Sequence, residues 1–154
     1  MKHTLNAYKI TWFNKYGEHS FYEYTKRTAE NSMKRFANFN PTMEETVVEV
    51  CLTPAIKREF QKVIKNIRES DFNPESGMEY PKAIMTDAMT ERGEATIIFS
   101  WQGSYASEEK KEYTRRKAEK MLKVESFLNF LDKEQATAQI ELKENNNYQI
   151  RIKF

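Results

Sequence analysis

The feature that most restricts the fold is the spacing of apolar residues, which follows the period of a strand in some short segments and the period of a helix in others. In residues 6–14, Tyr8, Ile10 and Trp12 alternate with polar residues, which is the period-two pattern of a half-buried strand. In residues 56–67 the apolar side chains instead recur at the spacing of an amphipathic helix. Because Gly, Pro and Asn turn signals separate such segments, the sequence predicts an α+β fold in which antiparallel hairpins pack with three helices.

The predicted order of elements is ββαβα-ββαββ. The first half comprises a hairpin of residues 6–25 with its turn at Lys15–Glu18, a helix capped by Thr28 that ends near Asn38, a strand at Glu45–Leu52 and a helix that begins at Thr53-Pro54. The second half comprises an apolar segment at Lys82–Met89, a turn at Glu91–Glu94, a strand at Ala95–Trp101, a long helix from Ser107 to about Asp132 and a final hairpin that turns at Glu144–Asn147.

The chain of 154 residues has the length of a single domain, residues 1–154. A loop at 70–81, rich in Asn, Pro, Ser and Gly, is the one candidate boundary. It would join two halves, 1–69 and 82–154, which share the succession of hairpin, helix and strand without any residue-level repeat.

Cysteine content and hydropathy point to the cytoplasm. Cys51 is the only cysteine, so no internal disulfide bond can form, as is usual for cytosolic proteins. The N-terminus carries no apolar signal segment, and no apolar run is long enough to span a bilayer. We therefore expect a cytoplasmic protein with no membrane partner.

Catalytic signatures are nearly absent, so the sequence predicts a protein that is not an enzyme and has no catalytic residues, metal or cofactor. Each glycine stands alone in a turn segment, which excludes a glycine-rich phosphate loop. His3 and His19 are too few for a Cys/His metal site. His19 and Cys51 are the residues that could form a nucleophile pair, but a histidine at a strand start and a small buried cysteine explain both without catalysis.

One motif supports a metal-dependent nuclease as an alternative hypothesis. Glu141-Leu142-Lys143 on a predicted strand matches the second half of a restriction-type nuclease motif, in which the acid and the lysine face one metal. The preceding acid, Asp132, falls at a helix end rather than on the neighbouring strand that the motif requires. A solvated strand face produces the same pattern of acid, apolar residue and lysine.

Basic helix faces are the main candidate binding signal. The chain has 25 Lys and Arg against 23 Asp and Glu, so nucleic-acid binding requires that cations gather on one face. The alternative is a solvated helix face whose charges pair within the helix, for example Glu112 with Arg116 and Glu119 with Lys123. The candidate phosphate contacts on the two helices are Arg115, Arg116, Lys117, Lys120, Lys123, Lys57, Arg58 and Lys62.

Aromatic residues of the first hairpin are the second signal. They are too many for one face of a two-stranded ribbon, so some must point away from the core. Exposed rings interleaved with lysines either stack on bases or anchor a protein interface. A hairpin buried on both faces is the alternative. The candidate binding residues here are Trp12, Tyr16, Tyr22 and Tyr24.

The first fifty residues resemble the small ββαβ modules that are common in short phage and mobile-element proteins. The resemblance rests on the aromatic strand Tyr8–Trp12, the turn Lys15–Glu18 and the helix start Thr28-Ala29-Glu30. A small domain of mixed charge without a catalytic signature favours a non-enzymatic binding protein, an accessory or inhibitory factor that acts on nucleic acid or on a nucleic-acid-bound host complex. A structural protein that forms homo-oligomers through an aromatic surface is the alternative.

Overall fold

The computed structural model describes residues 1–70, 81–99 and 107–154. They form two compact units, an N-terminal unit (Lys2–Val50) and a C-terminal unit (Cys51–Phe154). Each unit combines an antiparallel sheet with helices, which confirms the predicted α+β class. The units meet in sequence after Val50, whereas the predicted halves meet in the loop at 70–81, of which residues 71–80 lie outside the described residues.

The N-terminal unit has the predicted ββαβ order. Its elements are β1 (His3–Asn14), β2 (Gly17–Glu23), α1 (Lys26–Arg35), a one-turn 3₁₀ helix (Ala37–Phe39) and β3 (Thr42–Val50). The central strand β1 is antiparallel to both neighbours in a sheet of order β2-β1-β3. A two-residue turn joins β1 to β2, and there the amide of Tyr16 donates to Oδ1 of Asn14 over 2.8 Å.

Consecutive side chains of β1 point to opposite faces of this sheet, because the β1–β2 register is continuous. On one face Ile10 is buried, and Trp12 stacks on Phe36 at the end of α1 with ring centroids 4.5 Å apart. Phe21 meets Trp12 edge-on from β2. The opposite face, called the outer hairpin face from here on, carries Lys9, Thr11, Phe13, Ser20 and Tyr22.

The C-terminal unit is built on a four-stranded antiparallel sheet of order β4-β5-β7-β6. Its elements are α2 (Pro54–Ser70), β4 (Lys82–Ile84), α3 (Asp87–Glu91), β5 (Glu94–Ile98), α4 (Ser107–Met121), α5 (Glu125–Lys133), β6 (Thr137–Leu142) and β7 (Tyr148–Lys153). The predicted final hairpin is confirmed as β6 and β7, and in β7 Ile150 and Ile152 are buried while Gln149 and Arg151 are half-buried on the other side.

The core of this unit joins α2, α4 and α5 to the inner face of the sheet. Phe60 of α2 is fully buried and stacks on Phe130 of α5 with ring centroids 5.6 Å apart. Ile64 and Ile67 of α2 belong to the same core. These contacts explain why α2 falls in the C-terminal unit, although the sequence placed it in the first half.

A buried hydroxyl fixes α4 against β7. Oγ1 of Thr114 donates to the carbonyl of Lys110 over 2.9 Å and accepts the amide of Tyr148 over 2.8 Å. Because Thr114 is fully buried, water cannot reach this site. The hydroxyl of Thr114 therefore provides the hydrogen-bond acceptor that the backbone amide of Tyr148 needs.

Two local predictions are wrong. The cap of α1 is Thr25, whose Oγ1 accepts the amide of Thr28, so the helix begins earlier than expected. The single long helix is two helices, because the amide of Val124 bonds the carbonyl of Met121 and Val124 itself is extended. The segment at Lys82–Met89, predicted only to be apolar, divides into β4 and the start of α3. The described residues thus hold five α-helices, against three predicted.

Candidate functional site

The outer face of α2 carries three exposed cations in one stripe. Arg58, Lys62 and Lys65 lie four and three residues apart, which places them on one side of the helix. The opposite side carries Ile56, Phe60, Ile64 and Ile67 in the core. The core therefore orients this stripe, called the α2 stripe from here on, toward solvent.

Within the described part of the chain, no ion pair neutralises the α2 stripe. The one acid near it whose side chain is described, Glu59, is engaged elsewhere: Oε1 accepts a hydrogen bond from Nζ of Lys133 on α5 over 2.7 Å. This bond raises the pKa of Lys133. Among the residues that the structure describes, the positive charge of the stripe therefore has no counter-ion. Lys57, also predicted as a contact, is half-buried at the edge of the stripe.

The predicted stripe on α4 is different, because its central cation is already paired. Arg115 binds Glu112 through two hydrogen bonds and Glu119 through a third, of 2.9 Å. The hydrogen bond from Arg115 lowers the pKa of Glu112, and the same carboxylate raises the pKa of Arg115. The predicted pairs of Glu112 with Arg116 and Glu119 with Lys123 are not formed; both acids bind Arg115 instead.

The remaining candidates on this helix are distributed around it. Arg116 is exposed and makes no ion pair with any described residue. Nζ of Lys117 lies 5.5 Å from the ring centroid of Tyr113, a cation–π distance. Lys120 and Lys123 line an open groove of about 630 Å³ between the end of α4 and the start of α5, together with Glu125.

The candidate aromatic residues divide between two environments. Trp12 stacks on Phe36 and on His19, so its ring belongs to the face that α1 covers. Tyr16 at the hairpin turn is 78% exposed and Tyr22 on the outer hairpin face is 45% exposed. Tyr24 is half-buried beyond the end of β2. The prediction that some rings point away from the core is therefore correct, but Trp12 is not one of them.

Phe13 was not among the candidates, and this residue is 60% exposed on the outer hairpin face. Its position follows from parity: once Trp12 is assigned to the covered face, its neighbour must face the other way. The alternation of side chains along β1 was visible in the sequence. The sequence did not indicate, however, which of the two faces α1 covers.

Two of the residues weighed for catalysis, His19 and Glu141, are engaged in other contacts. Nε2 of His19 hydrogen-bonds Oδ1 of Asn14 over 2.9 Å, while its ring stacks on Trp12. Glu141 pairs with Lys143 at 2.9 Å and with Arg151 at 3.1 Å. The hydrogen bond from Lys143 is the main cause that lowers the pKa of Glu141. In the described ranges, no three His, Cys, Asp or Glu side chains are grouped in a way that could hold a metal ion.

Comparisons with known proteins supply no relative: no family model, no curated protein and no solved structure matches the chain. None of the helices that the structure describes is long and apolar enough to cross a bilayer.

Proposed function

We propose that this chain is a non-enzymatic binding protein that acts on nucleic acid, either free or within a host nucleoprotein complex. The observation that carries the proposal is the α2 stripe, in which Arg58, Lys62 and Lys65 are exposed without a carboxylate partner among the described residues. Cations in this arrangement contact phosphates by charge, so the binding is independent of base sequence and weakens as salt rises.

The test is a salt series of gel shifts with a labelled DNA duplex, comparing the wild type with the triple variant Arg58→Gln, Lys62→Gln, Lys65→Gln. Glutamine removes the charges and retains high helix propensity, so α2 should remain folded. If each cation contacts a phosphate, the slope of log affinity against log salt becomes shallower by about 3. Circular dichroism verifies the fold of each variant.

The matched control is Arg116→Gln, Lys120→Gln, Lys123→Gln, which removes the same charge from residues at and after α4. We expect a smaller loss of affinity, because these cations lie beside Glu119, Glu125 and the paired Arg115. An equal loss in both variants would show that net charge alone governs binding, and would disprove the assignment to α2. Failure of the wild type to shift any nucleic acid at low salt would disprove the proposed function.

The biological setting is part of the same proposal. We place the protein in the cytoplasm as an accessory or inhibitory factor of a phage or mobile element, which the resemblance of residues 1–50 and the single cysteine support. Affinity capture from a host lysate, repeated after nuclease treatment, distinguishes the two kinds of target. Partners that are lost after the treatment were bridged by nucleic acid, and partners that stay bind the protein directly.

A second candidate function is assembly into homo-oligomers through exposed aromatic side chains. The observation in its favour is the exposure of Phe13 and Tyr22 on one sheet face. Analytical ultracentrifugation over a range of concentrations tests it. A stable oligomer that Phe13→Ser and Tyr22→Ser dissociate would favour assembly, and a monomer at all concentrations would exclude it.

A further inference from the structure

The outer hairpin face presents two flat rings separated by hydroxyl groups. Phe13 of β1 and Tyr22 of β2 share this face, and Tyr22 lies directly across the ladder from Lys9. From the rise along a strand and the spacing between strands, the two rings are about 14 Å apart. The pair Thr11 and Ser20 occupies the row between them. No single base can cover both rings at that distance, so each ring offers a separate stacking position.

The charges on this face are mixed. Lys9 on this face and Lys15 in the adjacent turn make no ion pair with any residue that the structure describes, and Nζ of Lys15 lies 4.9 Å from the ring centroid of Tyr16. Two carboxylates share the face, since Glu18 pairs across from Phe13 and Glu44 from Lys9. Two lysines can follow a phosphate backbone, but the nearby acids limit what charge alone contributes. Stacking must therefore supply most of any affinity here.

The two exposed rings by themselves offer less area than a stable interface between two copies of the chain buries. At 60% and 45% exposure, the two rings offer together roughly 200 Å² of surface. A stable protein interface buries about 800 Å² on each partner. Unpaired bases need much less area, because stacking on one aromatic ring already contributes to the affinity of each base.

We infer that the outer hairpin face binds single-stranded nucleic acid by stacking one unpaired base on Phe13 and another on Tyr22. This inference rests on the proposed function and names its substrate class. A duplex hides the faces of its bases, so it gains nothing from these rings and binds only through its phosphates. The hydroxyls of Thr11 and Ser20 lie where the sugar and base edges between the two stacked bases would pass.

The test measures the affinity of the full chain for oligothymidine and for a duplex, by fluorescence anisotropy. Phe13→Leu and Tyr22→Leu keep an apolar side chain and remove the flat ring. Each should weaken oligothymidine binding by roughly tenfold and leave duplex binding unchanged. Phe13→Trp and Tyr22→Trp should retain the affinity, and the fluorescence of the new tryptophan should be quenched on binding, relative to the wild type.

Phe39→Leu is the matched control, because its ring is 44% exposed in the same unit but lies in the 3₁₀ helix rather than in the sheet. It should bind oligothymidine as the wild type does. Equal affinity of the wild type and both leucine variants, with no quenching in the tryptophan variants, would overturn the inference. If the leucine variants instead change only the sedimentation behaviour, the face is an interface between copies and the inference is likewise overturned.

The two proposals fail in distinguishable ways. Loss of duplex binding in the α2 variant, with unchanged duplex binding in the leucine variants, supports the proposed function whatever the outcome on single strands. If neither nucleic acid binds the wild type at low salt, both proposals are wrong.

Discussion

At the scale of single residues, Gly93 is constrained by its backbone and by its neighbour. Its φ is +69°, and a Cβ placed there would lie 2.7 Å from Cβ of Cys51. We expect Gly93→Ala to lower the free energy of unfolding by about 2 kcal/mol or more, since the left-handed conformation and the overlap both cost energy. Urea denaturation followed by circular dichroism measures this change.

Asn40→Ala is the control for the backbone contribution, because Asn40 has a φ of +48° and is exposed. It should cost less than about 1 kcal/mol, since asparagine tolerates this conformation only slightly better than other residues with a Cβ. If the two variants lose equal stability, the contact with Cys51 has no energetic consequence. The sequence predicted the turn at Glu91–Glu94, but it did not indicate that Cys51 packs against Gly93.

At the scale of elements, prediction succeeded where local signals agree with packing. The start of α2 was predicted from Thr53-Pro54, and Oγ1 of Thr53 does accept the amide of Ile56. The break between α4 and α5 was missed because the apolar pattern runs through it without a glycine or proline. The pairing of Arg115 was missed for a related reason: several acids lie within reach, and side-chain geometry chooses among them.

The carboxylate of Glu112 makes the stability of α4 dependent on pH. Its pKa is lowered below the ordinary 4.5, mainly by the hydrogen bond from Arg115. A lowered pKa means that the stabilisation is present above pH 4.5 and is lost as the pH falls through the folded-state value. We expect Glu112→Gln to lower the urea midpoint at pH 7, and we expect this difference to vanish well below pH 4.5.

Glu144→Gln serves as the comparison for Glu112→Gln, because Glu144 is exposed in the last turn and has no ion pair with the residues described. It should leave the midpoint unchanged across the same pH range. The effect of Glu112→Gln should also shrink at high salt, since both partners are largely exposed. A difference that persists unchanged at acidic pH would contradict the pairing with Arg115.

At the scale of the whole molecule, the two units differ in how much apolar surface they bury. In the N-terminal unit, the fully buried apolar side chains are Ala7, Ile10 and Ala29, whereas the described part of the C-terminal unit already holds a core of fifteen residues. Burial of apolar area is the main favourable contribution to folding. Hydrogen exchange should therefore be faster, by at least about tenfold, for amides of β2 than for those of β5 and β7.

Uniform protection across both sheets would contradict this expectation and would indicate that the chain unfolds as one cooperative body. The sequence favoured a single domain because its length permits one, and its composition showed a shift only near residues 70–81. The division after Val50 was not visible, because β3 passes into α2 through Thr53-Pro54 without any linker-like composition.

The continuous register of the β1–β2 hairpin has a consequence for how this protein can change over time. Trp12 packs against Phe36 at the end of α1, while its neighbour Phe13 faces outward. A substitution at one of these positions therefore does not change the contacts of the other. A saturation scan across Ile10–Phe13 would consequently divide into two alternating series. The even positions would tolerate only what preserves the fold, and the odd positions would accept a wider range of side chains.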